Sequence, residues 1–135
     1  MKQADIVLPG LYSEYESLHR FIASFAQDEG YSGLFIDGLQ LTLKEAFVNA
    51  IRHGNKEESD LTVSIRLIAE ESCLLASVKD CGKGFNPDEL PSPVNQQNLF
   101  KLSGRGIYII RSIAEIISLE TDLNGSTLTL RYIPC

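Results

Sequence analysis

Leu61-Thr62-Val63-Ser64-Ile65-Arg66-Leu67 alternates apolar and polar side chains one by one, and a second apolar run, Leu74 to Lys79, follows a polar turn at Glu70-Glu71-Ser72. Alternation with a period of two sends one set of side chains into a core and the other into water, so each run reads as a half-buried strand. The short polar turn between them makes the pair an antiparallel hairpin. A hairpin in mid-chain, with helical patterns on both sides, departs from the regular strand–helix alternation of a doubly wound sheet.

Working outward toward the N-terminus, Ser13-Glu14-Tyr15-Glu16 has the form of a capping box. Tyr15, Leu18, Ile22, Phe25 and Ala26 then recur at helical spacing, with Gly30 as a stop. The pattern predicts a second helix from Leu34 to His53, with Gly54-Asn55 as its C-cap. Ile6-Val7-Leu8, ahead of Pro9-Gly10, reads as a first strand. Toward the C-terminus, Ile107, Ile110, Ala114 and Ile117 mark a third helix. Leu119 to Leu123 and Thr127 to Tyr132 flank Asn124-Gly125, a type I′ hairpin signal. The sum predicts an α+β fold over residues 1–135 as one domain: a two-layer sandwich with helices on one face of a mainly antiparallel sheet.

Composition narrows the function. Hydrophobic residues make up 44% and charged residues 22%, a normal globular balance that leaves no long disordered segment to expect. Eighteen acidic against 12 basic residues give a net charge of −6, which lacks the basic field needed for a phosphate backbone, so nucleic acid is not an expected ligand. A nucleotide stays open, because a few local donors suffice to hold one. The start, Met1-Lys2-Gln3-Ala4-Asp5, has no apolar signal-peptide region, and no apolar run is long enough to span a bilayer. Cys73, Cys81 and Cys135 form neither a CxxC nor a Cys/His cluster, which reads as free thiols of a cytoplasmic protein.

Three constellations carry chemistry. Glu45-Ala46-Phe47-Val48-Asn49-Ala50-Ile51-Arg52-His53 lies on the second helix, where residues four apart share a face, so Glu45, Asn49 and His53 form one polar stripe. Leu39, Leu43, Ala46, Phe47 and Ala50 fill a different face, and Leu41 and Val48 make the remaining side partly apolar. Polar groups on so apolar a helix need partners, such as a hydrated Mg²⁺ or a nucleotide; the plainer reading is a solvated face. Asp80-Cys81-Gly82-Lys83-Gly84 directly follows a strand. A carboxylate there can accept from an exocyclic amine such as that of adenine, and the glycines let backbone approach a flat ligand; the alternative is a simple Asp/Gly turn. Ser103-Gly104-Arg105-Gly106 opens the third helix, where free N–H groups and the helix dipole favour an anion, against the alternative of a flexible helix entry. The chain has no GxxxxGK[ST], no dinucleotide-binding glycine fingerprint and no GxSxG elbow.

In this order the three constellations, ExxxNAxxH, DxGxG after a strand and GxG opening a helix, resemble the N, G1 and G2 boxes of the GHKL ATPase superfamily. Gly125-Ser126-Thr127 resembles the small-residue stretch that ends that fold, and the likeness spans Leu34 to Tyr132. Within the superfamily the chain is most similar to the anti-sigma regulatory factors, the serine/threonine kinases of bacterial partner switching. That likeness rests on the short stand-alone domain, the Glu45/Asn49 spacing and the compact loop from Phe85 to Ile107.

The resemblance implies the Bergerat (histidine-kinase-like ATPase) fold, with ATP or ADP and Mg²⁺ as cofactors. It implies that Asn49 coordinates Mg²⁺ and that Glu45 is the general base. Asp80 would read the adenine amine, Gly82 and Gly84 would shape the adenine end, and Gly104, Arg105 and Gly106 would hold phosphates. Thr127 would support the adenine side, and His53 would help to fix the helix end. The partners it implies are a sigma factor and a STAS-domain antagonist whose serine is phosphorylated, with a homodimer as a family-level expectation. The alternatives are a nucleotide-dependent binding module without catalysis and the catalytic domain of a histidine kinase. The latter would need a helical dimerisation region with a phospho-accepting histidine, and the chain offers only His19 and His53.

Overall fold

The computed structural model describes residues 2–82 and 104–134. Strand β1 (Lys2–Pro9) leads through a short 3-10 turn at Tyr12–Glu14 into helix α1 (Tyr15–Asp28), and helix α2 (Gly33–Asn49) follows. The central hairpin is β2 (Thr62–Ala69) and β3 (Leu74–Asp80). Helix α3 (Gly104–Ile113) precedes a second hairpin, β4 (Glu115–Asp122) and β5 (Gly125–Tyr132). The five strands form one sheet in the order β1-β2-β3-β5-β4, and every pairing is antiparallel.

The alternation that defined the hairpin sets the layers. Val63, Ile65, Leu67 and Ala69 of β2, with Leu74, Ala76 and Val78 of β3, are buried on one face. Leu128, Leu130 and Tyr132 of β5 share that face. Against it pack Leu18, Ile22, Phe25 and Ala26 of α1, with Leu39, Leu43, Ala46 and Phe47 of α2. These are the helical stripes expected from spacing, so α1 packs on the sheet through its apolar face.

One polar contact ties the layers together. Tyr132 Oη lies 2.6 Å from Thr42 Oγ1, and both side chains are buried. Thr42 also reaches the Gly38 and Leu39 carbonyls at 3.0 and 3.1 Å, so its hydroxyl keeps a partner on its own helix. Tyr132→Phe therefore removes one hydrogen bond without orphaning Thr42, and the expected loss is about 1 kcal/mol, measurable by denaturant unfolding.

Five local expectations are corrected. The helix expected to run to His53 is α-helical only to Asn49; Ala50–Gly54 winds as a wider π turn, closed by Asn55 N–H donating to the Ala50 carbonyl at 2.8 Å. Gly54 is not a left-handed cap: the positive φ angles fall on Lys56 (53°) and Glu57 (62°). The capping box is not formed, since α1 starts at Tyr15 with no side-chain cap bond. The third helix stops at Ile113, and Ile117 belongs to β4, because pairing with β5 along Glu115–Asp122 outweighs the apolar helical spacing. In the last hairpin Asp122 pairs with Gly125, which alone takes positive φ (133°), so the turn Leu123-Asn124 is not type I′.

Candidate functional site

The helix motif and the strand-end motif meet at one place. β3 delivers Asp80 to the buried face, 6% exposed, at its C-terminal end. Its Oδ1 accepts the Gly82 N–H at 3.2 Å and the Ser126 N–H at 3.0 Å. Among the described residues no hydrogen bond reaches Oδ2, which is left as an acceptor for a donor on a ligand. Burial pushes the Asp80 carboxyl above its ordinary value, while the Ser126 and Gly82 N–H bonds and the Lys79 charge favour the ionised form.

The π turn brings the α2 segment onto this carboxylate. A Cβ on Gly54 would collide with Asp80 Oδ2 and lie 2.7 Å from Asp80 Cβ. A Cβ on Gly82 would strike the Gly54 carbonyl, and one on Gly125 would strike the Asp80 carbonyl and lie 3.2 Å from Oδ1. Three glycines from three segments thus let the backbone close in around Asp80: Gly54 clears its carboxylate, Gly125 its carbonyl, and Gly82 the carbonyl of Gly54. A π turn inside a helix is often found at functional sites, and here it sets the approach of Gly54.

Glu45 and Asn49 are half-buried, about two turns and one turn upstream of that contact. The phase change at Ala50 takes His53 out of the regular stripe they share. Burial, with the Arg52 charge beside it, holds His53 below the usual imidazole range, so it is neutral at pH 7. Gly104 and Gly106 open α3, as the motif predicted. Gly84 lies outside the described residues, as do Ser103 and most of the connecting loop, and of Arg105 only the backbone is described.

Thr127 lies on the strand next to the one that carries Asp80. It sits opposite Lys79 on β5 and shares its strand face with Thr129, whose hydroxyl meets Ser77 on the side away from the helices. Its neighbour Ser126 is the residue whose backbone reaches Asp80. Sequence reading also assigned Gly54 and Asn55 only to a helix cap. Asn55 is 1% exposed and bonds to two other segments, a role for which its place after a helical motif gave no signal.

Comparison with known proteins agrees with this geometry. The model of the histidine kinase-like ATPase domain family matches residues 8–132. The chain belongs to this family. Its curated relatives include the serine-protein kinase RsbW of Listeria monocytogenes, 24% identical over 127 residues that cover 89% of this chain and 81% of the relative. The serine-protein kinase RsbW of Bacillus subtilis is also 24% identical, over 89% of this chain and 79% of its own. Among solved structures, the RsbU and RsbW domains of a Mycobacterium tuberculosis protein align with a TM-score of 0.63 at 16% identity. That alignment covers 99% of this chain and 33% of the other. This ATPase-domain member therefore has the expected α+β sandwich with helices on one face of an antiparallel sheet. No helix among the described residues is long and apolar enough to cross a membrane.

Proposed function

We propose that this chain is an ATP-binding serine/threonine protein kinase acting as an anti-sigma regulatory factor. One observation carries the reading: Gly54, just past the Glu45/Asn49 helix, packs directly on the buried Asp80 carboxylate. Two motifs separated in sequence are thereby joined into one cleft edge. A carboxylate whose second oxygen takes no hydrogen bond among the described residues suits a ligand that presents an N–H donor, as the adenine amine does.

Within this reading, Asp80 accepts from the base, and Gly82 with Gly84 keeps the adenine end open. Asn49 would hold Mg²⁺, and Gly104, Arg105 and Gly106 at the start of α3 would receive the phosphates. No cluster of three or more His, Cys, Asp or Glu side chains suited to a metal occurs among the described residues. Mg²⁺ takes few protein ligands where phosphates complete its shell, so one asparagine is enough. Bound ATP supplies the phosphoryl group, and Mg²⁺ offsets its charge. Glu45 stands four residues before Asn49, one turn away, to accept the proton of the attacking hydroxyl. His53, neutral at pH 7, steadies the π turn.

The partners are a STAS-domain antagonist that offers the serine and a sigma factor that is sequestered, with exchange between them in the cytoplasm. Nucleotide controls that exchange only if it binds the two complexes unequally. A homodimer is part of this reading. Intact Glu45 favours it over a binding module without catalysis.

Calorimetric titration of ADP and ATP with and without Mg²⁺ tests the reading. The wild-type protein is expected to bind in a Mg²⁺-dependent manner, and Asn49→Ala to weaken that binding at least about tenfold with the fold retained. Absence of binding at millimolar nucleotide removes the kinase reading.

A further inference from the structure

Asn55 lies behind the candidate site, and its side-chain hydrogen bonds go to no residue assigned to a ligand. Its side chain is buried and makes bonds on both sides. Nδ2 donates to the Thr62 carbonyl at 3.1 Å, and Oδ1 accepts the Cys81 N–H at 2.9 Å. Its backbone N–H closes the π turn on Ala50, and its carbonyl accepts from Glu58 N–H at 3.0 Å. A Cβ on Gly10 would lie 2.8 Å from Nδ2, so the amide is also enclosed by the end of β1. One side chain thus links the end of the α2 segment, the start of β2 and the turn after β3.

We propose that Asn55 is a positioning residue for base recognition, acting on Asp80 through the Cys81 backbone; the inference rests on the adenine-nucleotide reading above. The turn Asp80-Cys81-Gly82 is held at three successive points. The Asp80 carboxylate takes the Gly82 and Ser126 N–H groups, and Cys81 N–H is taken by Asn55. The first two bonds tie the carboxylate to neighbouring backbone, while the third ties that backbone to the helix segment. Without it, the turn and its carboxylate stay tied to β3 and β5 but not to the π turn that carries Gly54, so Oδ2 loses its fixed place against that turn. A binding group must keep its orientation closely for a hydrogen bond to discriminate between bases.

The test uses ADP and IDP, which differ at the position where adenine has an amine. Affinities are measured by calorimetry well below the melting temperature, for wild type, Asn55→Ala and Asn55→Ser. Wild type is expected to prefer ADP. Asn55→Ala is expected to lose about tenfold in ADP affinity while IDP changes little, so that the ADP/IDP ratio collapses. Asn55→Ser, whose shorter hydroxyl cannot make both bonds, should shift the ratio in the same direction by less; it carries the test alone if Asn55→Ala does not fold. A merely structural role would lower the melting temperature and leave the ratio at its wild-type value, and that result in a folded variant overturns the inference. If wild type binds neither nucleotide, the nucleotide reading falls and this inference falls with it. Wild-type binding with an unchanged variant ratio removes the inference alone.

Discussion

Gly54→Ala is expected to reduce ADP affinity by at least about a hundredfold and to destabilise the fold, although alanine is the better helix former. Propensity and contact predict opposite signs here. Removing a glycine from a helical turn should raise stability by about 0.5–1 kcal/mol. The added methyl, however, would run into Asp80 Oδ2 and come within 2.7 Å of Asp80 Cβ, closer than packed carbons approach. Asp80 cannot simply rotate away, because Oδ1 is bound by Gly82 and Ser126 N–H groups. Overpacking of this kind costs about 1–3 kcal/mol, which outweighs the propensity gain. Either the carboxylate leaves its two donors or the π turn withdraws from β3, and both spoil the acceptor offered to a base. Thermal unfolding and ADP calorimetry on the same variant decide the matter. A raised melting temperature with wild-type affinity would show that the Gly54–Asp80 contact does not shape the site.

The layers and most of the core were legible because they follow from periodicity. Leu39, Leu43, Ala46, Phe47 and Ala50 were read as one helical face and are all buried. The β2–β3 alternation gave the correct face for Asp80 once the strand was extended by one residue. What escaped the reading depends on contacts between distant segments. The C-terminal end of α2 looked like a helix with a glycine cap, since Gly-Asn is a common stop signal. Its glycine instead answers to Asp80, 26 positions further on, and the left-handed angles pass to Lys56 and Glu57. Ile117 looked helical for a similar reason: three-residue spacing cannot register the pairing of Glu115–Asp122 with β5. At the site, the glycine-rich motifs were visible as letters. The bond from Ser126 to Asp80 was not legible, because it comes from a backbone N–H that no side-chain pattern reports.

Strand order explains why these motifs converge. After β3 the chain returns through α3 to β4 at the sheet edge, and β5 then inserts between β4 and β3. The start of β5 is thereby placed beside the end of β3, where Gly125 and Ser126 meet Asp80. The helix segment closes the third side. A buried carboxylate held by backbone from β5 and by its own turn needs no basic partner, which suits an acceptor reserved for a neutral N–H donor. In the proposed reading, ligand charge would be handled elsewhere, by Asn49 with Mg²⁺ and by the opening of α3. This separation is compatible with a chain whose net charge is −6.

Glu45→Gln is expected to lower phosphoryl transfer to the serine of a STAS-domain antagonist by about 10²–10⁴-fold, with ADP affinity changed less than about twofold. The amide has the shape of the carboxylate but cannot accept the hydroxyl proton. The proposed reading gives base recognition to Asp80 and metal coordination to Asn49, so the substitution leaves those proposed binding groups intact. Glu45 is half-buried on α2, a helix fixed to the sheet by Leu43, Ala46 and Phe47, so its position does not depend on its charge. Transfer rates and ADP titrations on the same preparation separate the outcomes. Unchanged transfer would show that Glu45 is not the base and that positioning alone sets the rate. A parallel loss of ADP affinity would instead place Glu45 among the groups that organise the metal and phosphates. A selective loss of transfer, with nucleotide still bound, would leave a protein able to hold partners without releasing them through phosphorylation.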